Sequence, residues 1–192
     1  MGLVTLILGL IVFIVPHVFV TRREARADLI ARLGEGPYKI GFSILSAIGI
    51  VLIAYGFGWY RSSEWINVWY PPVWTRHLAL LLVWPAIIMI VAAYIPGNIK
   101  RELKHPMLTG VKLWALAHLL ANGDLGGIIL FGSILAWAVY DRISLKRRTD
   151  AGAPPIPVGG WPRDVAAVIV GTLVYLGLAF WFHPAVIGVP VL

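Results

Sequence analysis

The chain contains no cysteine and few acidic residues, and both shortages limit what it can do. Without cysteine it has no disulfide, no thiolate metal ligand and no cysteine nucleophile. Its nine aspartates and glutamates all fall between its apolar runs or at their ends. Proton- and cation-coupled carriers usually keep a carboxylate near the middle of the membrane, and paired-carboxylate or Ser-His-Asp catalysis needs one at the site. These classes of protein are therefore disfavoured.

Apolar residues are abundant instead. The chain is 59% hydrophobic with a mean hydropathy of +0.84, which is far above the value for soluble domains. A transmembrane helix takes about 20 apolar residues, and six runs qualify, at roughly 1–20, 38–60, 73–95, 107–122, 124–141 and 162–187. We therefore predict an all-α integral membrane protein in which one domain, 1–192, contains about six transmembrane helices in contact with the lipid bilayer. A Pro/Gly-rich linker at 148–162 precedes the last helix.

The net charge of +7 comes from basic residues on alternate connections. Thirteen of the sixteen lysines and arginines lie on the first, third and fifth connections between the predicted helices. Because basic residues concentrate on the cytoplasmic side, this pattern predicts both termini on the outer, periplasmic side of a bacterial inner membrane. Contact with anionic lipids is a secondary effect of the same charges, and nothing in the sequence points to nucleic acid.

Small and turn-forming residues mark helix contacts and helix ends. Gly49 with Gly56, and Gly132 with Ala136, have the spacing of helix-packing positions. Three further residues are typical of helix ends. Gly123 can end one helix in a left-handed conformation, and Asp124 can cap the next helix. Pro162 suits the first turn of the last helix.

Histidine is the remaining polar residue type that can do chemistry inside the apolar runs. His105 and His118 lie thirteen residues apart in "KHPMLTGVKLWALAHLLANGD", which on a helix means about 20 Å of rise and about 140° of rotation. They therefore cannot bind one iron if that helix is continuous. His105 precedes Pro106 at a helix start, which favours a surface or capping role.

His118 shares a helix face with small residues and one tryptophan, namely Gly110, Trp114, Ala117 and Ala121. Small residues around a histidine would let a flat macrocycle approach the helix backbone. They would equally let another helix pack closely. The sequence leaves both interpretations open.

Three segments of the chain form a specific set of motifs: "RHLALLL" from Arg76, "HPMLTGVKLWALAHLLANGDLGGIILFGSILAWAVYDR" from His105, and the early "PH" followed by "RR" between Pro16 and Arg23. In these segments the chain resembles the NnrU family of membrane proteins. The likeness covers about residues 1–148 and, more weakly, the last helix. The resemblance implies a role in denitrification, where NnrU-like proteins support nitrite and nitric oxide reduction or its regulation.

The His-Pro at His105, the Ala-His thirteen residues on at His118 and the earlier His17 bear a more distant resemblance to 15-cis-ζ-carotene isomerase, a haem b enzyme of plant and cyanobacterial membranes. That resemblance implies axial ligands at His17 and His118. The isomerase has a cysteine three residues before its second histidine, where this chain has Ala115. A switch of iron ligand to thiolate is therefore not available, which argues against isomerase activity.

Together these features predict haem b, with its iron bound by His118 and His17 and lined by Gly110, Trp114 and Ala117. His77 is the alternative partner, because the predicted helices place it at the depth of His118 while His17 lies near the inner surface; His105 is less favoured. No catalytic residue is assigned. The alternatives are a haem-dependent cis-trans isomerase acting on an apolar polyene and a cofactor-free scaffold. Nitric oxide is a further candidate ligand, and protein partners are not specified.

Overall fold

The computed structural model describes residues 1–148 and 158–191, which are helical and contain no strand. The elements are α1 (Gly2–Phe19), α2 (Arg23–Leu33), α3 (Glu35–Ser63), α4 (Val73–Ala92), α5 (Asn98–Leu103), α6 (Pro106–Ala121), α7 (Leu125–Lys146), α8 (Trp161–Gly177) and a π-helical segment (Leu178–Ile187) that continues α8. Residues 149–157 of the predicted linker lie outside the described ranges. Pro162 occupies the first turn of α8 as predicted.

Five of these described helices are long and apolar enough to cross a membrane: α1, α3, α4, α7 and α8 with its π-helical continuation. The all-α prediction is confirmed, and the five helices fit an integral membrane protein. The predicted count of six is not confirmed, because α6 has 16 residues. At 1.5 Å per residue it spans about 24 Å, which is shorter than a hydrocarbon core of about 30 Å.

Two connections that lack apolar character are themselves helical. The first, rich in arginine, folds as α2, and the third contains the six-residue α5. Arg, Glu, Ala and Leu are strong helix formers, so local preference suffices where apolar periodicity is weak. α2 ends at Gly34, whose φ of 85° is readily adopted only without a side chain.

The first compact unit comprises Met1–Val68 and Asp124–Leu145. Within it α1 and α3 run antiparallel with their backbones in contact, since Gly49 lies against Phe13 and Gly56 against Leu6. A Cβ on Gly49 would lie 2.8 Å from the Phe13 Cβ. The predicted packing role of Gly49 and Gly56 is therefore confirmed. The same role predicted for Gly132 is wrong, because a Cβ there would meet nothing within 4 Å.

Two carboxylates cap helices in this unit. Glu64, which follows α3, accepts hydrogen bonds from the backbone N–H groups of Gly2 (2.7 Å) and Leu3 (3.1 Å) at the start of α1. Asp124 is buried, and its Oδ1 accepts from Gly127 N–H at 2.7 Å. The predicted cap at Asp124 is confirmed. Each carboxylate satisfies helix N–H groups that have no partner within the helix.

The second unit comprises Trp69–Gly123 and the described residues after Leu145. Its helix α4 contacts α6 and α8 through glycines of both. A Cβ on Gly110 of α6 would lie 2.5 Å from the Ala86 carbonyl oxygen, and one on Gly171 of α8 would lie 2.8 Å from the Ile88 Cα. Trp84 Nε1 of α4 also donates to Thr172 Oγ1 of α8 at 3.0 Å.

The end of α6 differs from the prediction. Gly123 is not among the glycines with positive φ in the described chain, so it does not end the helix in a left-handed conformation. Its carbonyl accepts from Trp69 N–H, and a side chain at Gly123 would collide with the Trp69 carbonyl. Glycine is therefore needed here for close backbone approach.

Gly49→Ala should lower the free energy of unfolding by about 1–3 kcal/mol, because the added methyl group overpacks the contact of α3 with Phe13. The measurement is thermal unfolding in detergent micelles. Gly58→Ala is the matched control, since it lies on the same helix with nothing within 4 Å of its Cβ position. Equal midpoints for the two variants would show that the α1–α3 contact tolerates a side chain.

Candidate histidine sites

The imidazole of His118 is oriented by its own helix. Its Nδ1 lies 2.8 Å from the carbonyl oxygen of Trp114, four residues earlier. Because a carbonyl oxygen only accepts, Nδ1 carries the hydrogen and donates, which leaves the lone pair on Nε2. Histidines that bind metals typically have the second ring nitrogen held in this way. His118 therefore has the tautomer and the fixed orientation that suit an iron ligand.

The backbone of His118 is also held by hydrogen bonds at the end of α6. The His118 carbonyl accepts two hydrogen bonds from Asn122, one from the backbone N–H at 2.9 Å and one from Nδ2 at 2.8 Å. The Trp114 ring lies beside the imidazole, with ring centroids 4.8 Å apart. These contacts explain why "AHLLAN" ends the helix without a left-handed glycine.

A second histidine lies next to His118. The ring of His183, in the π-helical segment, has its centroid 6.2 Å from that of His118, and the ring planes differ by 30°. Both side chains are half-buried. Sequence reasoning missed this pair, because the two histidines are 65 residues apart in the chain and no periodicity links them. The only signal was a histidine near the outer end of the last apolar run.

His17 has the same local orientation in the first unit. Its Nδ1 donates to the Phe13 carbonyl at 2.6 Å, which again leaves the lone pair on Nε2. Its ring is stacked on Phe13 at 4.2 Å and contacts Phe42 at 4.9 Å and Trp137 at 5.3 Å. Aromatic side chains from α1, α3 and α7 thus surround this half-buried histidine.

The remaining two predicted histidines are placed differently. His77 is exposed near the start of α4. His105 is the residue that precedes α6, and its carbonyl accepts from the Thr109 N–H at 3.2 Å. Since α6 is continuous from Pro106 to Ala121, His105 lies about 20 Å from His118 along the helix and cannot share an iron with it.

The small residues on α6 mainly serve helix packing. Gly110 lies against the backbone of α4, and Ala115 and Ala117 are fully buried. Of the two interpretations that the sequence left open, close packing of a neighbouring helix accounts for Gly110. Trp114 contacts His118 and stays in the candidate site.

Among the described residues, the side chains of these candidate sites that could bind a metal are imidazoles, either single or in a pair. No group of three or more His, Cys, Asp or Glu residues could hold a metal ion there. A metal held by protein side chains alone usually needs three or four ligands. An iron whose other four ligands come from a macrocycle needs only one or two. The imidazoles present therefore fit haem.

The chain matches the sequence model of one protein family over nearly its full length. That model is described as NnrU protein, and the match covers residues 5–191. The chain belongs to the NnrU family. No curated protein and no solved structure is significantly similar to it. The NnrU match includes α8 and the π-helical segment, so the family likeness extends to the segment that contains His183.

Gly110→Ala should destabilise the haem-free protein by about 1–3 kcal/mol, because its methyl group would overlap the Ala86 carbonyl. Thermal unfolding of protein prepared without haem is the measurement. Gly132→Ala, with nothing within 4 Å of its Cβ position, is the control and should unfold like the unchanged protein. An unchanged midpoint for Gly110→Ala would show that the contact of α6 with Ala86 tolerates a side chain at this position.

Proposed function

We propose that this NnrU-family protein binds haem b in a bacterial inner membrane and supports denitrification, in nitrite and nitric oxide reduction or its regulation. The observation that carries the cofactor is the His118 imidazole, whose Nδ1–H is bound to the Trp114 carbonyl. The role in denitrification is what the resemblance to the NnrU family implies, and the match of the family model over residues 5–191 supports that resemblance.

The residues around His118 would hold the group and keep water away. The Trp114 carbonyl fixes the tautomer of His118, and the Asn122 amide holds its backbone. Half-buried surroundings in an apolar helix lower solvent access, which is one of the protein's means of tuning a haem. When bound, haem b would supply one-electron chemistry and an iron that binds nitric oxide.

The isomerase alternative has weaker support from the residues. Ala115, which stands where the isomerase has its cysteine, is fully buried. No other residue of this chain supplies a thiolate, since the sequence has no cysteine. Denitrification support therefore remains our proposal.

For the topology we propose six crossings, with α6 as a short one and both termini in the periplasm. Helices shorter than the hydrocarbon core are accommodated by local thinning of the bilayer. Packing of α6 along α4 supports a position at membrane depth. The alternation of basic connections in the sequence supports the orientation.

His118→Ala should abolish the Soret band that the purified protein shows after haem supplementation, or reduce it at least about tenfold. The reason is that even the loss of a residue that hydrogen-bonds to a metal ligand lowers metal affinity by about 10–100-fold. The measurement is a visible spectrum, oxidised and reduced. His105→Ala is the matched control on the same helix and should keep the band. Absence of a Soret band in the unchanged protein would reject the cofactor, and an unchanged band in His118→Ala would reject His118 as a ligand.

In a denitrifying host that lacks its own NnrU protein, the same variants test the biological role. The unchanged protein and His105→Ala should restore nitrite and nitric oxide reduction under anaerobic growth, whereas His118→Ala should not. Full restoration by His118→Ala would favour a cofactor-free scaffold.

Single cysteines placed in this cysteine-free chain should report the topology. With six crossings, cysteines replacing the exposed Arg101 and Arg148 lie in the cytoplasm and resist a membrane-impermeant maleimide applied to intact cells. Tyr70→Cys, between α3 and α4, is the periplasmic control and should react. If α6 does not cross, the cysteine at position 148 becomes reactive while that at 101 stays protected.

A further inference from the structure

We propose that His183 is the second axial ligand of the haem that His118 binds, so that the iron lies between α6 and the π-helical segment. This inference rests on the proposed haem function and adds a ligand to it. The family resemblance assigns the ligand role to His17 and His118 and not to His183.

The separation of the two rings fits one shared iron. Their centroids are 6.2 Å apart. Two imidazoles on opposite sides of one metal have centroids about 6 Å apart, since each metal–nitrogen bond is about 2 Å. A direct hydrogen bond of about 3 Å between two imidazole nitrogens would bring the centroids nearer, to about 5 Å. The 30° angle between the rings is compatible, because each ring rotates about its bond to iron.

The backbone around His183 is specialised for this position. Pro184 has no N–H and its ring collides with the carbonyl four residues earlier in an α-helix. Around Pro184 the chain forms π-helix from Leu178 to Ile187. This conformation is rare overall, but where it occurs it is often found at functional sites. In this π-helix the His183 side chain projects in a different direction from the one it would have in an α-helix.

The end of the segment then fixes His183. Its carbonyl accepts from the backbone N–H groups of Gly188 and, at 3.2 Å, of Val189. Gly188 has a φ of 74°, the left-handed conformation in which glycine stops a helix. His118 and His183 therefore both lie near helix ends with their carbonyls held by the residues that follow.

The other two histidines of the second unit are placed differently. His77 is exposed on α4, and His105 lies at the opposite end of α6 from His118. Among the described residues of this unit, His183 is the histidine whose ring is shown close to that of His118.

The test is the spin state of the haem-loaded full-length protein, read by visible absorption and electron paramagnetic resonance. The unchanged protein should be six-coordinate and low-spin. His183→Ala should become high-spin and five-coordinate and lose haem about tenfold or more readily, and added imidazole should restore the low-spin spectrum. His183→Met should stay six-coordinate with a raised reduction potential, since methionine in place of histidine raises it.

His77→Ala is the matched histidine control and should keep the low-spin spectrum, as should Phe180→Ala, which truncates an exposed side chain of the same π-helical segment. His17→Ala tests the partner that the resemblance implies. Low-spin haem in His183→Ala and an unchanged potential in His183→Met would overturn the inference, especially if His17→Ala or His77→Ala turned high-spin. High-spin haem in the unchanged protein would overturn it while leaving haem binding intact. No Soret band in the unchanged protein would instead overturn the proposed cofactor and this ligand with it.

Discussion

Close approach of helix backbones is the interaction on which both compact units depend. Between apolar helices in lipid there is no gain from removing apolar surface from water, so association relies on van der Waals contact over short distances. Gly49 and Gly56 allow it between α1 and α3, and Gly110 and Gly171 allow it between α4 and its two neighbours. A side chain at any of these four positions would meet backbone or near-backbone atoms.

Polar groups are correspondingly placed where helices begin or end. Glu64 caps α1 and Asp124 caps α7. Asp164 of α8 accepts from Asn98 Nδ2 and the Ile99 N–H and so connects α8 to α5. A backbone group without a partner costs several kcal/mol in the hydrocarbon. Glu64, Asp124 and Asp164 thus stabilise helix ends or join helices near their ends.

The histidines follow a different physical rule. An uncharged imidazole is tolerated among apolar side chains once one nitrogen is hydrogen-bonded, and both His17 and His118 meet this condition with the carbonyl four residues earlier. The bond can form on any helix, so it needs no partner element. In the second unit, the ring of His183 lies 6.2 Å from that of His118, measured between centroids.

The sequence by itself determined the helical membrane character, the cap at Asp124 and the contact glycines of α3, because apolar run length, local capping and helical spacing are properties of nearby residues. It did not predict α2, whose helix formers lack an apolar face, and it assigned Gly132 to packing where no neighbour lies. Only the tertiary structure decided that Gly110 serves contact with α4 and that His183 lies beside His118. Those relationships join distant parts of the chain, and they depend on which helix faces pack together and on the π-helical winding before Gly188.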